Sequence, residues 1–201
     1  EITAHGGNIL SAITGGSYDR LSGTSMACPN LAGVVALLRQ YVVENFPEIA
    51  DDNAKVTSMV YCLMMSTADI VYNTNGLPYS VRKQGAGLAS LMNSIKTPAY
   101  IITYDKDGNA MDKTKLELGD DAEKTGVYEM KFTITNFGSA ALSYNLGAYV
   151  LTEGVSETKT NAGETTVTEA AYKLAGGMEI LSVSGGSLSG PLALTGSLIL
   201  T

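Results

Sequence analysis

The chain has no tryptophan, one histidine (His5), two cysteines (Cys28 and Cys62), three phenylalanines and five prolines among 201 residues. One histidine and two distant cysteines do not supply the ligand spacing of a zinc site. Basic residues are also scarce: 13 Lys and Arg stand against 20 Asp and Glu, a formal charge of −7. With no basic cluster there is no footprint for a phosphate backbone, which excludes nucleic acid as a partner. The charge-free residues 180–201 are not a membrane span, because 12 of those 22 positions are Ser, Thr, Gly or Pro. Neither an Asn-x-Ser/Thr sequon nor a repeat of solenoid length occurs. The remaining composition is 45% hydrophobic and only 16% charged. It suits one large or two small cores and is unlike a disordered tail.

Residues 22–33 read Ser-Gly-Thr-Ser-Met-Ala-Cys-Pro-Asn-Leu-Ala-Gly. Residues 26–38 hold no charge before Arg39, and such a run predicts a helix that is apolar all round and belongs in an interior. Ala27, Ala32, Gly33 and Ala36 keep its surface thin enough for close packing. Ser25 then falls at the helix N-terminus, where backbone N–H groups lack partners and the dipole is positive. A nucleophile placed there has a donor at hand for the oxyanion that forms when it attacks a carbonyl.

An ordinary N-capped helix, with Ser22 or Thr24 as cap, explains the hydroxyl. It does not explain eight specified positions out of eleven. Gly23, Thr24, Ser25, Met26, Ala27, Pro29, Ala32 and Gly33 fall in register on Gly-Thr-Ser-Met-Ala-x-Pro-x-x-Ala-Gly. The stretch resembles the catalytic-serine motif of the subtilisin-like serine proteases, with Cys28 and Asn30 where Ser and His are frequent. The resemblance implies that Ser25 is the nucleophile of a serine endopeptidase acting on protein or peptide substrates through an acyl-enzyme, without a cofactor.

Serine needs a base, and the base needs an orienting group. In the family's chain order, Asp and His precede Ser. His5 sits in Ala4-His5-Gly6, a segment resembling the family's Ala-Pro-Gly, so it replaces a proline and reads as structural or incidental. The resemblance therefore implies that base, acid and the oxyanion-hole asparagine lie in a preceding N-terminal part of the same catalytic domain. That missing part would be this chain's first partner. Alone, the chain is expected to be inactive, since loss of the base in a subtilisin costs about 10⁶ in kcat.

The chain changes character near Thr97-Pro98. Before it, Asp51-Asp52 mark a second helix start, and Val56, Met59, Val60, Leu63 and Met64 form an apolar stripe at helical spacing. Gln84-Gly85-Ala86-Gly87-Leu88 is followed by a short helical run to Ile95. Residues 79–88 look most like the cell-envelope proteinases of Gram-positive bacteria, which implies an extracellular or cell-envelope-anchored protein. After Pro98 the period becomes two: Tyr128, Met130, Phe132 and Ile134 alternate with polar residues, then Leu142, Tyr144, Leu146, Ala148 and Val150. Strands are expected at 99–104, 115–118, 165–169, 178–183 and 197–201. The expected fold is thus the α/β, here mostly helical, end of a subtilisin-like domain over 1–97, then an all-β fibronectin type III-like sandwich over 98–201.

Three other features are weaker. Asp105, Asp107, Asn109 and Asp112 invite a calcium reading, but Gly108 is misplaced for an EF-hand loop and Leu116 stands where its glutamate belongs. Asp107-Gly108 reads instead as a hairpin turn, and structural calcium is not supported in this stretch. Cys28 and Cys62 lie on separate expected core helices, and the sequence leaves their pairing open, with free buried thiols favoured. The competing function is a non-catalytic cell-surface adhesion or binding protein that keeps a degenerate protease domain. The intact Gly23-Thr24-Ser25 argues against decay.

Overall fold

A computed structural model describes residues 1–117, 119–120, 122–125 and 130–147, and four further strands, with 145–147 and those strands described by backbone alone. It divides into two compact units, Glu1–Ile70 with Gln84–Phe137, and Val71–Lys83 with Gly138–Thr201.

The first unit opens with an antiparallel hairpin of β1 (Ile9–Ile13) and β2 (Ser17–Leu21), Ile9 opposite Leu21 and Ile13 opposite Ser17. Gly15 and Gly16, at φ 93° and 74°, turn the chain where a Cβ would be strained. Helix α1 (Thr24–Asn45) follows at once. It ends at Phe46, whose N–H donates to Val42 O at 2.9 Å, directly before Pro47. Helix α2 (Asn53–Ser66) begins as expected behind the paired acids: Asp52 caps it, its Oδ1 accepting from the N–H of Ala54 (3.1 Å) and Lys55 (3.2 Å). A single turn, α3 (Val81–Gln84), whose first three residues belong to the second unit, precedes the Gly-rich segment, and α4 (Leu91–Lys96) follows it, capped by Ser90.

The core lies where α1, α2 and α4 meet. Leu38, Val42, Val56, Met59, Val60, Leu63 and Met64 are buried together, so the stripe read on α2 is its inward face. Burial of α1 is narrower than expected. Among the described residues of this helix only Leu38 and Val42 are buried, while Leu37 is 54% exposed. The physical reason is one-sided contact, since α2 and α4 are its helical neighbours there. By length and composition α1 would also suit a bilayer; in this structure its Leu38 and Val42 are completely buried in the cluster shared with α2.

Strands β3 (Ala99–Thr103) and β4 (Phe132–Asn136) pair antiparallel, and β3 lies on α2, Ile101 N–H donating to Ser66 Oγ at 2.8 Å. Three edge-on or tilted ring contacts, Tyr41–Phe46, Phe46–Phe137 and Tyr100–Phe137, join the end of α1 to this pair. No strand forms at 115–117, where Lys115 and Glu117 instead pair with each other at 2.8 Å. Residues 118 and 127–129 of the expected strands lie outside the described residues.

Residues 84–89 act as a bracket for two other segments. On one side Thr3 N–H donates to Gly87 O (2.8 Å), Ala89 N–H to Thr3 O (2.8 Å) and Ala86 N–H to Glu1 O (2.9 Å). On the other, Leu88 and Asp69 exchange both backbone bonds, at 2.7 and 2.9 Å. Both glycines are required by this threading. Gly85 (φ 61°) and Gly87 (φ 129°) hold left-handed backbone, and a Cβ on them would overlap the carbonyls of Glu1 and Asp69 respectively.

In the second unit, Asn73 Oδ1 accepts from the N–H of Asn75 and Leu77 to close a tight loop. β5 (Leu142–Gly147), β6 (Val150–Lys159), β7 (Thr165–Leu174), β8 (Gly186–Ser189) and β9 (Thr195–Leu200) form a three-stranded sheet in the order β5-β9-β8 and a long β6–β7 hairpin. All these pairs are antiparallel, as the alternation requires. The expected strand at 178–183 lies outside the described residues.

Candidate active site

Ser25 is the second residue of α1 and is exposed. Gly23 precedes the helix at φ 153° and offers no side chain to cap it. Its carbonyl accepts from Met26 N–H (3.1 Å) and Ala27 N–H (3.2 Å), and its own N–H donates to Gly6 O (2.8 Å). The amides of Thr24 and Ser25 lie ahead of the first intrahelical bonds, at the positive end of a 22-residue helix. Pro29, one turn on, has no N–H to give to Ser25 O. The serine thus offers a hydroxyl and an uncommitted backbone donor on the same residue, which is what attack on a carbonyl with stabilisation of the resulting oxyanion asks for.

The segment before the helix is tied down twice. Besides the Gly6–Gly23 bond, Asn8 N–H donates to Ser22 Oγ at 2.8 Å, with Asn8 itself at φ 56°. Arg20 Nη1 donates to Asn8 O at 3.1 Å, fastening the hairpin to the same turn. His5 lies in this segment but is exposed and makes no hydrogen bond among the described residues. Among the described residues no hydrogen bond joins it to the Ser25 hydroxyl.

The remaining candidates are resolved by geometry. Asp105 Oδ1 accepts from the N–H of Asp107 (2.9 Å) and Asn109 (2.8 Å), and Oδ2 from Asn109 Nδ2 (3.0 Å). Those bonds hold its carboxyl below the usual carboxylate range, led by the Asn109 side chain. They close the turn at Gly108 (φ 84°) that Asp107-Gly108 predicts. Among the described residues, no three His, Cys, Asp or Glu side chains converge as metal ligands. Both cysteines are free. Cys62 is buried as expected, and burial, with help from the charge of Asp112, pushes its thiol up to about 11. Cys28 is exposed, against the expectation of two buried thiols, because it lies in the part of α1 where no residue is buried.

Residues 1–87 match the Subtilase family. The matched segment takes in the hairpin, α1, α2, α3 and the bracket as far as Gly87. Relatives reach beyond it. The chain is 33% identical over 180 residues to a PII-type proteinase of Lacticaseibacillus paracasei, covering 84% of this chain and 9% of that protein. It is 32% identical, with the same coverage, to a PI-type proteinase of Lactococcus lactis subsp. cremoris. A C5a peptidase of Streptococcus pyogenes is 29% identical over 137 residues, 68% of this chain and 11% of that protein. The chain therefore spans about a tenth of the length of the relatives it matches.

Reading the sequence for the motif locates Ser25 and misses the parts that hold it. Gly6, Asn8 and the bracket glycines carry no chemistry, and the hairpin is signalled locally by Gly15-Gly16 at its turn and not by its strands, since Ile9–Ile13 and Ser17–Leu21 do not alternate apolar with polar residues.

Proposed function

We propose that the protein containing this chain is a serine endopeptidase that cleaves protein or peptide substrates through an acyl-enzyme on Ser25. The observation that carries this is the placement of the motif serine at an uncapped helix N-terminus, exposed and with its own amide uncommitted. Ser25 Oγ gives its proton to the base and attacks the scissile carbonyl, while Ser25 N–H donates to the oxyanion. The C–N bond then breaks as the base returns the proton to the leaving amine, and water hydrolyses the resulting acyl-enzyme ester. The base, the acid that orients it and a second oxyanion donor come from an N-terminal part of the same catalytic domain, upstream of Glu1. Support for such a partner comes from α1, where Leu37 and Val43 are exposed, and from relatives roughly ten times longer.

The same reading makes residues 1–97 the end of the catalytic domain and 98–201 a fibronectin type III-like spacer or docking platform, supported by the antiparallel strands β5 to β9, whereas β3 and β4 belong to the first compact unit. It places the protein outside the cell or on its envelope, in line with the proteinases it is similar to. A fluorophosphonate, which reacts with activated serines, is expected to label Ser25 in the intact protein and not in residues 1–201 alone. No labelling of the intact protein would remove the protease reading and leave the adhesion-protein alternative. Strong labelling of 1–201 alone would assign the base to His5.

A further inference from the structure

We infer that Gly6 is a positioning residue for Ser25, its backbone setting where the first turn of α1 begins. The inference rests on the reading of Ser25 as nucleophile. Gly6 is held from behind: only Ala4 and His5 separate it from Thr3, which is bonded on both sides of its peptide to Gly87 and Ala89 of the bracket. The three residue steps from Thr3 to Gly6 span at most about 10 Å, so the bracket limits how far Gly6 can move.

On its other side Gly6 meets the start of the helix without a gap. Its carbonyl takes the Gly23 N–H at 2.8 Å. A Cβ at Gly6 would lie 2.6 Å from Gly23 O, 2.7 Å from Ala27 Cβ and 2.9 Å from Ala27 N. None of these is the far end of a flexible side chain, so relief requires the turn itself to move. Gly23 O is also the acceptor that starts the helix, for Met26 and Ala27, and it stands two residues before Ser25. Pressure on that carbonyl tilts the Ser25 hydroxyl and its amide together. Unlike Gly85 and Gly87, Gly6 is not in the left-handed region, so alanine there carries no backbone penalty and acts through the contact alone.

The experiment compares the intact protein with its G6A, S25A and G6A/S25A variants on a peptide substrate. G6A is expected to lower kcat about 10²-fold, as for a catalytic group displaced by about 1 Å, with KM changed less than about twofold. In the S25A background the same substitution is expected to change residual hydrolysis less than about twofold, since it acts through the serine. Amide hydrogen exchange on the unmodified protein supplies a measurement that needs neither activity nor a stable variant: Gly23 is expected to be protected to the same degree as Thr3 and Leu88. A folded G6A with unchanged kcat overturns the inference, as does an undiminished G6A effect without Ser25. So does a Gly23 amide that exchanges freely while Thr3 and Leu88 stay protected. Full hydrolysis by S25A fails differently, by removing the nucleophile assignment itself.

Discussion

Two thiols of one chain are set apart here by their surroundings. Cys62 is 2% exposed, its Sγ 4.0 Å from Met111 O, whereas Cys28 faces solvent three residues after Ser25. The thiolate is the reactive form, and burial holds the Cys62 ionisation up at about 11. A maleimide at neutral pH is therefore expected to modify Cys28 in the native protein and Cys62 only after unfolding, counted by intact mass. The same shift has a pH consequence. In the unfolded chain Cys62 ionises near 9.0, well below its folded value. Its contribution to stability is full below that value and is lost as pH rises towards about 11. Tyr100, also raised by burial, adds a loss of the same sign. C62A is expected to flatten part of the alkaline fall in Tm, and an unchanged alkaline limb would contradict the assignment.

At the scale of the element, α2 has its start fixed by one carboxylate. Asp52 accepts from two backbone amides, led by that of Lys55, and its pKa is lowered as a result. A depressed carboxyl stabilises the fold above its unfolded value of 3.8, and that contribution disappears as pH falls through the lower folded value. D52A is expected to lower Tm by roughly 2–4 °C at pH 7. D52N, which still caps, is expected to keep Tm near pH 7 and lose the acid dependence, both read by thermal melts between pH 2 and 7. This helix was the most legible part of the sequence, because a cap and a 3.6-residue stripe are local signals. The α1 start, the turn at Gly108 and the strands at 99–103 and 132–136 were legible for the same reason. The bracket was not. Gly85 and Gly87 are glycines because Glu1 and Asp69 pass over them, and no property of residues 84–88 announces what crosses. The exposure of α1 escaped as well, since an uncharged run states what a helix can bury and not which neighbours it finds.

Over the molecule as a whole, stability in the first unit concentrates where separate segments share one small core. Leu63 is 0% exposed in a cluster drawn from α1 and α2, with Leu91 and Ile95 of α4 and Tyr100 of β3 packed against it. L63A is expected to cost about 3 kcal/mol, through the lost transfer free energy and the cavity left behind. Denaturant unfolding with an unchanged slope would register it, and a loss below about 1 kcal/mol would place the core elsewhere. The bracket has an effect in time as well. The segment that seats Ser25 is gripped by residues through Ala89, which leave the ribosome only after 64 further residues have followed the serine. At 5–20 residues per second, that is roughly 3–13 s of synthesis. Throughout that interval the nascent chain carries Ser25 on an unseated turn, so under the proposed endopeptidase function the order of synthesis itself would delay the moment at which Ser25 is set for attack.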